Sequence, residues 1–302
     1  MNPRGLEAVV TGAGGQLGAE LLAAVPPGWR ATGLRHADLD ITDRDAVRSW
    51  LAAAQPAVII NAAAYTAVDR AEEQPELAHA VNSDGAANLA GAAREVGARL
   101  VHVSTDFAFD GSAARPYPPA ASPSPLGAYA RSKVDGEVRV MALGGGTATV
   151  IRTGWLYSAR GRNFVMTMLR LMRERGAVDV VADQIGTPTW ASGFATVLWA
   201  AATRADMPGI WHWADAGVAS RYDLAVAVRD ESWRLGLLER PVDVLPIATG
   251  DYPALAPRPP FSVLECAGTR RHLGLAARHW SESLRDMLTE VREMGGTRAR
   301  AP

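Results

Sequence analysis

The chain predicts an α/β fold, a Rossmann-type doubly wound parallel sheet with a smaller C-terminal α/β substrate domain. Three observations point there. Short β-branched runs alternate strictly with longer Ala-rich stretches through the first half of the chain. The best of those runs are apolar almost throughout, as strands covered on both faces must be. The first strand also runs directly into a three-glycine turn that opens a helix.

In chain order, Ala8-Val9-Val10-Thr11 is the first strand and Gln16 to Val25 the first helix. Arg30 to Leu34 is a weaker strand, followed by a helix from Asp43 to Ala54. Ala57-Val58-Ile59-Ile60-Asn61 and Leu100-Val101-His102-Val103-Ser104 are apolar strands flanking a helix from Glu76 to Val96. The prolines between Arg115 and Pro125 forbid helix or central strand, so a stiff loop leads into a helix from Tyr129 to Leu143. Gly144-Gly145-Gly146 breaks the chain before a fifth strand, Ala148 to Arg152. Beyond it the pattern is less regular. Helices are expected at Asn163 to Arg175, Ser192 to Arg204, Tyr222 to Leu235 and Ser281 to Met294, with short strands near Val178 to Val181, Gly209 to Trp213 and Val242 to Pro246. Residues 1–155 therefore read as a dinucleotide-binding unit to which later segments can return, and 156–302 as mainly a substrate-binding unit with a frayed tail from Gly295.

Composition narrows the function. A formal charge of -1 gives no electrostatic reason to expect nucleic acid or an anionic membrane as partner. One cysteine, Cys266, excludes an intrachain disulfide and a thiol-rich metal site. The histidines are scattered singly, so no metal site is expected. No charged-then-apolar leader occupies Met1 to Leu6 and no apolar run approaches a membrane span, so the cytoplasm is the expected location. Of 31 Lys+Arg, only Lys133 is a lysine. A position that keeps a compact, titratable ammonium in an arginine-rich chain needs what a guanidinium cannot supply.

Three constellations carry chemistry. Thr11-Gly12-Ala13-Gly14-Gly15-Gln16-Leu17-Gly18 places glycines at 12, 15 and 18 between strand and helix, which suits close approach of a pyrophosphate to the backbone at a helix N-terminus. The second strand ends in Leu34-Arg35-His36, with no carboxylate before Asp38 and Asp40. A cation there favours the 2′-phosphate of NADPH over NADH, although a solvated arginine is the plainer reading; Asp40-Ile41 lies where an adenine edge would be. Ser104-Thr105-Asp106 and Asn61-Ala62-Ala63-Ala64 end two central strands, where hydroxyls and small side chains face a cofactor; for Ser104 simple capping is the rival. Tyr129 and Lys133, four apart, share one helix face. The ammonium is expected to favour the phenolate, and the pair suits proton transfer to a carbonyl that Thr105 orients.

These motifs together resemble the extended short-chain dehydrogenase/reductase superfamily, and within it the dTDP-4-dehydrorhamnose reductase family. The resemblance extends through Asn61 to Asp69, Ser104 to Asp106 with Phe109-Asp110-Gly111, Arg152-Thr153-Gly154-Trp155, Asn163-Phe164, Asp183-Gln184, and Arg258-Pro259 with Ser262. It implies NADPH-dependent reduction of the C4 ketone of dTDP-4-dehydro-6-deoxy-L-mannose, with Thr105, Tyr129 and Lys133 as the catalytic set. By the same resemblance Thr105, Asp106 and Trp155 would contact the sugar, and the segment from Asn163 to Met168 and Gln184 would lie towards the nucleotide. Gly15, Gln16, Leu17, Asp40, Ile41, Ala62, Ala63, Ala64, Tyr65, Thr66, Tyr129 and Lys133 would hold the cofactor. A homodimer is compatible with the resemblance, and magnesium is left open.

Four departures from the family pattern concern the sugar: Phe107-Ala108 where Tyr-Val is usual, Pro119 and Ala121 where acids are common, Gly154 for Ser or Ala, and Ser158 for Gly. They make a 4-ketoreductase of another dTDP-deoxysugar the leading alternative. A nucleotide-sugar epimerase and a non-catalytic regulatory subunit on the same fold are rivals, opposed respectively by Arg35 and by the intact Thr105, Tyr129 and Lys133.

Overall fold

The computed structural model describes residues 6–298. Strands β1 (Glu7–Thr11), β2 (Arg30–Leu34), β3 (Val58–Asn61), β4 (Arg99–Thr105) and β5 (Ala148–Thr153) form where the apolar runs place them. Every residue of β3 and β5 is buried because helices cover both faces, whereas β2, at the sheet edge, alternates exposed with half-buried positions. The sheet is parallel, in the order Gly209–His212, β5, β4, β3, β1, β2. The winding reverses at β1, and a crevice opens there at the carboxyl ends of the strands.

The sixth strand corrects the expectation that Gly209 to Trp213 belongs to the second unit. It pairs with β5 from Gly209 opposite Thr149 to His212 opposite Arg152. Four residues are too few for their pattern to reveal which sheet they join. Helix Ala191–Ala202 also packs on this sheet, and its largely apolar sequence shows why: Phe194 and Leu198 share a core with Val10, Ile60 and Ile151. The Trp199 indole N–H donates to the Leu21 carbonyl at 2.9 Å.

Helices Gln16–Ala23, Arg44–Ala54 and Ala128–Leu143 form close to their expected bounds. Asp43 caps the second by accepting from the N–H groups of Asp45 and Ala46. A six-residue helix, Val68–Glu73, is too short to show a period in sequence and was not expected. The helix expected from Glu76 instead begins at Pro75 and passes through a π turn, Ala80–Gly85, before continuing as Ala86–Val96. That turn lies where the helix is pressed closest to its neighbours. A Cβ on Gly136 would run into the Asn82 carbonyl, and one on Gly85 would stand 2.6 Å from Ile41.

In the second half, Ala177–Val181 pairs in parallel with Asp243–Ile247. Helices Phe164–Glu174, Arg221–Arg234 and Trp280–Arg298 enclose a core that includes Val165, Leu169, Leu224, Val228, Leu284 and Leu288. The tail expected to fray from Gly295 is helical as far as Arg298, and 299–302 lie outside the described residues. Among the described residues no helix is long and apolar enough to cross a membrane.

Candidate active site

A cleft of about 450 Å³ opens at the carboxyl ends of β1, β3, β4 and β5. One wall is the glycine turn. Gly12 has φ +73°, and a Cβ there would come within 2.5 Å of the Ala63 nitrogen, so only glycine lets the turn close on β3. Gly15, Gln16 and Leu17 face the cleft, and no side chain caps the first N–H groups of helix Gln16–Ala23. Ala62, Ala64 and Thr66 line the adjoining edge.

The opposite wall is helix Ala128–Leu143. Glu72, on the unforeseen short helix, accepts from the Ala128 N–H at 2.7 Å and so caps it. The π turn aims Asn82 at the same helix. Its amide donates to the Ser132 hydroxyl and to the Tyr65 carbonyl, each at 3.0 Å, and accepts from the Tyr65 N–H at 2.8 Å. Tyr129 and Lys133 are thereby presented on one face to the cleft. Lys133 is only 2% exposed and spends one of its three N–H groups on the Val103 carbonyl at 2.7 Å. Burial, partly opposed by Glu137, pushes its pKa down to about 8.

For Tyr129 the sequence expectation is reversed. Burial, reinforced by Asp106 and opposed by the Thr105 hydroxyl, pushes the phenol up to about 12, so it is protonated at neutral pH. A donor of protons needs that state. Thr105 ends β4 with its hydroxyl accepting from the Phe107 N–H at 3.1 Å. Asp106 accepts from Ser262 at 2.6 Å, and burial raises its pKa to about 6.

The residues present suit a bound dinucleotide. Among the described residues two Lys133 N–H groups are unspent, the Ser104 hydroxyl is buried without a partner, and the helix N-terminus beside Gly15 is uncapped. Asn163 caps helix Phe164–Glu174 and donates to Gln16 at 2.8 Å, tying the second half of the chain to the glycine turn. Trp155 holds φ +50°, a left-handed backbone uncommon for a bulky residue, and its indole lies where a Cβ on Gly186 would go.

Of the residues singled out from sequence, Gly15, Gln16, Leu17, Ala62, Ala64, Thr66, Thr105, Asp106, Tyr129, Lys133, Trp155 and Asn163 meet at this cleft. Others do not line it. Gly12, Ala63 and Tyr65 shape the loops behind it; the Ala63 N–H donates to Asn61 and the Tyr65 hydroxyl to Gln74. Arg35 lies alongside Gly14 but is bound by Asp38 at 3.0 Å, the carboxylate folding back on the cation. Asp40 accepts from Thr42 within its own turn, and Ile41 is buried against Gly85. Gln184 is buried and donates to Thr249 at 3.2 Å.

Sequence reasoning missed Arg221 and Leu224, which also line the cleft. Arg221 lies with its guanidinium carbon 3.6 Å from the centre of the Trp155 ring. It was hidden among the many arginines, and no spacing marked it. Among the described residues no three His, Cys, Asp or Glu side chains converge as a metal site would require.

A family model described as the RmlD substrate binding domain matches residues 6–293. The chain is 41% identical over 287 residues to a dTDP-4-dehydrorhamnose reductase of Mycolicibacterium smegmatis, covering 94% of this chain and 85% of that one. It is equally 41% identical to a probable dTDP-4,6-dihydroxy-2-methyloxan-3-one 4-ketoreductase of Streptomyces antibioticus, covering 94% of this chain and 95% of that one. Among solved structures, a dTDP-4-dehydrorhamnose reductase from Bacillus anthracis in complex with NADP superposes with a TM-score of 0.89 at 34% identity, covering 95% of this chain and 100% of that one. With nearly its whole length matched, the chain belongs to the dTDP-4-dehydrorhamnose reductase family of NAD(P)H-dependent oxidoreductases.

Proposed function

We propose that the protein reduces the C4 ketone of a dTDP-4-dehydro-6-deoxyhexose with NADPH, dTDP-4-dehydro-L-rhamnose giving dTDP-L-rhamnose. The observation that carries this is the placement of Tyr129, Lys133 and Thr105 on one cleft wall, facing the uncapped helix start at Gly15 to Leu17. When bound, the reduced nicotinamide supplies hydride to C4. Thr105 donates a hydrogen bond to the carbonyl oxygen. Tyr129, protonated at neutral pH, delivers its phenolic proton to that oxygen as negative charge develops, and regains one from solvent. The Lys133 ammonium holds the ribose with its unspent N–H groups and stabilises the phenolate left behind. Residues 1–155 chiefly bind cofactor in this reading, and 156–302 chiefly bind the nucleotide sugar.

The relative from Streptomyces antibioticus and the departures at Phe107 and Gly154 favour a second reading, reduction of a different dTDP-4-keto sugar with the same residues. The deciding experiment follows NADPH oxidation with dTDP-4-dehydro-L-rhamnose made in situ. Turnover to dTDP-L-rhamnose supports the first reading. Binding of NADPH without turnover removes that sugar and favours the second. Failure to bind NADPH contradicts both.

A further inference from the structure

Arg221 carries a charge that the protein does not answer. Its guanidinium lies half-buried in the cleft wall, 3.6 Å from the Trp155 ring centre and 5.3 Å from that of Phe164. Among the described residues it forms no ion pair, and its side chain donates no hydrogen bond. The acid whose field reaches it, Asp106, is engaged by Ser262 at 2.6 Å and Thr105 at 3.4 Å. The other charge that it feels is a second cation, Arg258, whose own charge is taken by Asp69 at 2.7 Å. Burial and Arg258 together push the Arg221 pKa down to about 10. A half-buried cation that faces a cleft with no ionic or hydrogen-bonding partner among the described residues is an arrangement that an anion would complete.

Position indicates which anion. Trp155 and Asp106 lie at the proposed sugar end, and Phe164 follows Asn163 at the proposed nucleotide end. Arg221 touches both groups. In a nucleotide sugar the piece between sugar and nucleoside is the diphosphate, whose paired oxygens match the planar fork of a guanidinium. We propose that Arg221, held flat by Trp155, is the residue that receives the substrate diphosphate. This rests on the nucleotide-sugar reading given above.

The test is equilibrium titration of the NADP-loaded protein with dTDP, dTMP and thymidine, in wild type, Arg221→Met and Arg221→Lys. Arg221→Met is expected to weaken dTDP binding roughly 10- to 100-fold, with affinity for thymidine and NADP essentially unchanged. Arg221→Lys should recover part of the loss, since it restores charge without the fork. In turnover, KM should rise with kcat nearly constant. If Arg221→Met binds dTDP as wild type does, or loses thymidine and dTDP alike, the assignment is overturned. If Arg221→Met does not fold, Arg221→Lys decides: wild-type affinity for dTDP overturns it, and a selective loss of several-fold supports it. Wild type that binds NADP but no dTDP removes the nucleotide-sugar reading, and the assignment with it.

Discussion

The Ser262 hydroxyl donates to Asp106 Oδ2 at 2.6 Å although 156 residues separate them. The bond fastens the segment after Arg258 to the end of β4, and the Arg258 ion pair with Asp69 fastens it again at 2.7 Å. Between them these two contacts bring three distant motifs together beside the cleft that Asp106 lines.

Ser262→Ala removes the strongest partner of a buried carboxylate and is expected to destabilise the fold by about 1–3 kcal/mol. The loss depends on pH with a definite sign. Asp106 already titrates near 6, above its ordinary value, so the penalty for its charge is absent in acid and fully present above about pH 6. The variant raises that pKa further. Thermal melts should therefore separate the two proteins more at pH 8 than at pH 5, and an equal separation would show that Asp106 does not depend on Ser262.

Tyr129→Phe keeps the ring that packs edge-on to Phe107, with ring centroids 6.1 Å apart, and removes only the proton. Turnover should fall by a factor of about 10² to 10⁴ while NADPH affinity stays near wild type. Wild-type rates in this variant would refute the proton role.

Lys133 titrates near 8 because it is buried, and the proposed reduction uses its ammonium. The profile of kcat/KM should fall as pH rises through about 8, since this parameter reports groups of the free enzyme. Lys133→Arg keeps the charge at every pH, yet a guanidinium cannot occupy the enclosed place beside the Val103 carbonyl. It should be inactive at all pH values. An active Arg variant that kept the same alkaline limb would place the titration elsewhere.

Gly154 tests a departure from the family pattern. A Cβ there would run into the Asp106 carboxylate, so Gly154→Ala must displace Asp106 or the strand end carrying Trp155. Overpacking of this kind costs about 1–3 kcal/mol, and the sugar KM should rise more than the NADPH KM. Unaltered stability and KM would mean that Asp106 moves aside freely.

Much of this site was legible in the amino-acid sequence because its chemistry is local in the chain. Gly12 to Gly18 announce themselves by a turn that no other residues could make, and Tyr129 with Lys133 by one helical turn of spacing. The apolar runs of β1, β3, β4 and β5 identified the buried strands, since burial on both faces leaves no polar alternation. What could not be read is what depends on packing between distant segments. Nothing local distinguishes Gly209–His212 from a strand of another sheet, or the six residues of Val68–Glu73 from a loop.

Sequence alone thus pointed to the doubly wound sheet, to the glycine turn and to the proposed proton-transfer pair. The tertiary structure decided the protonation states of that pair, because burial shifts Tyr129 upward and Lys133 downward, and a sequence does not state burial. It also decided which of thirty arginines matters. Arg221 differs from the rest by what surrounds it, an indole beneath and a committed carboxylate nearby, and those neighbours are assembled only when the chain folds.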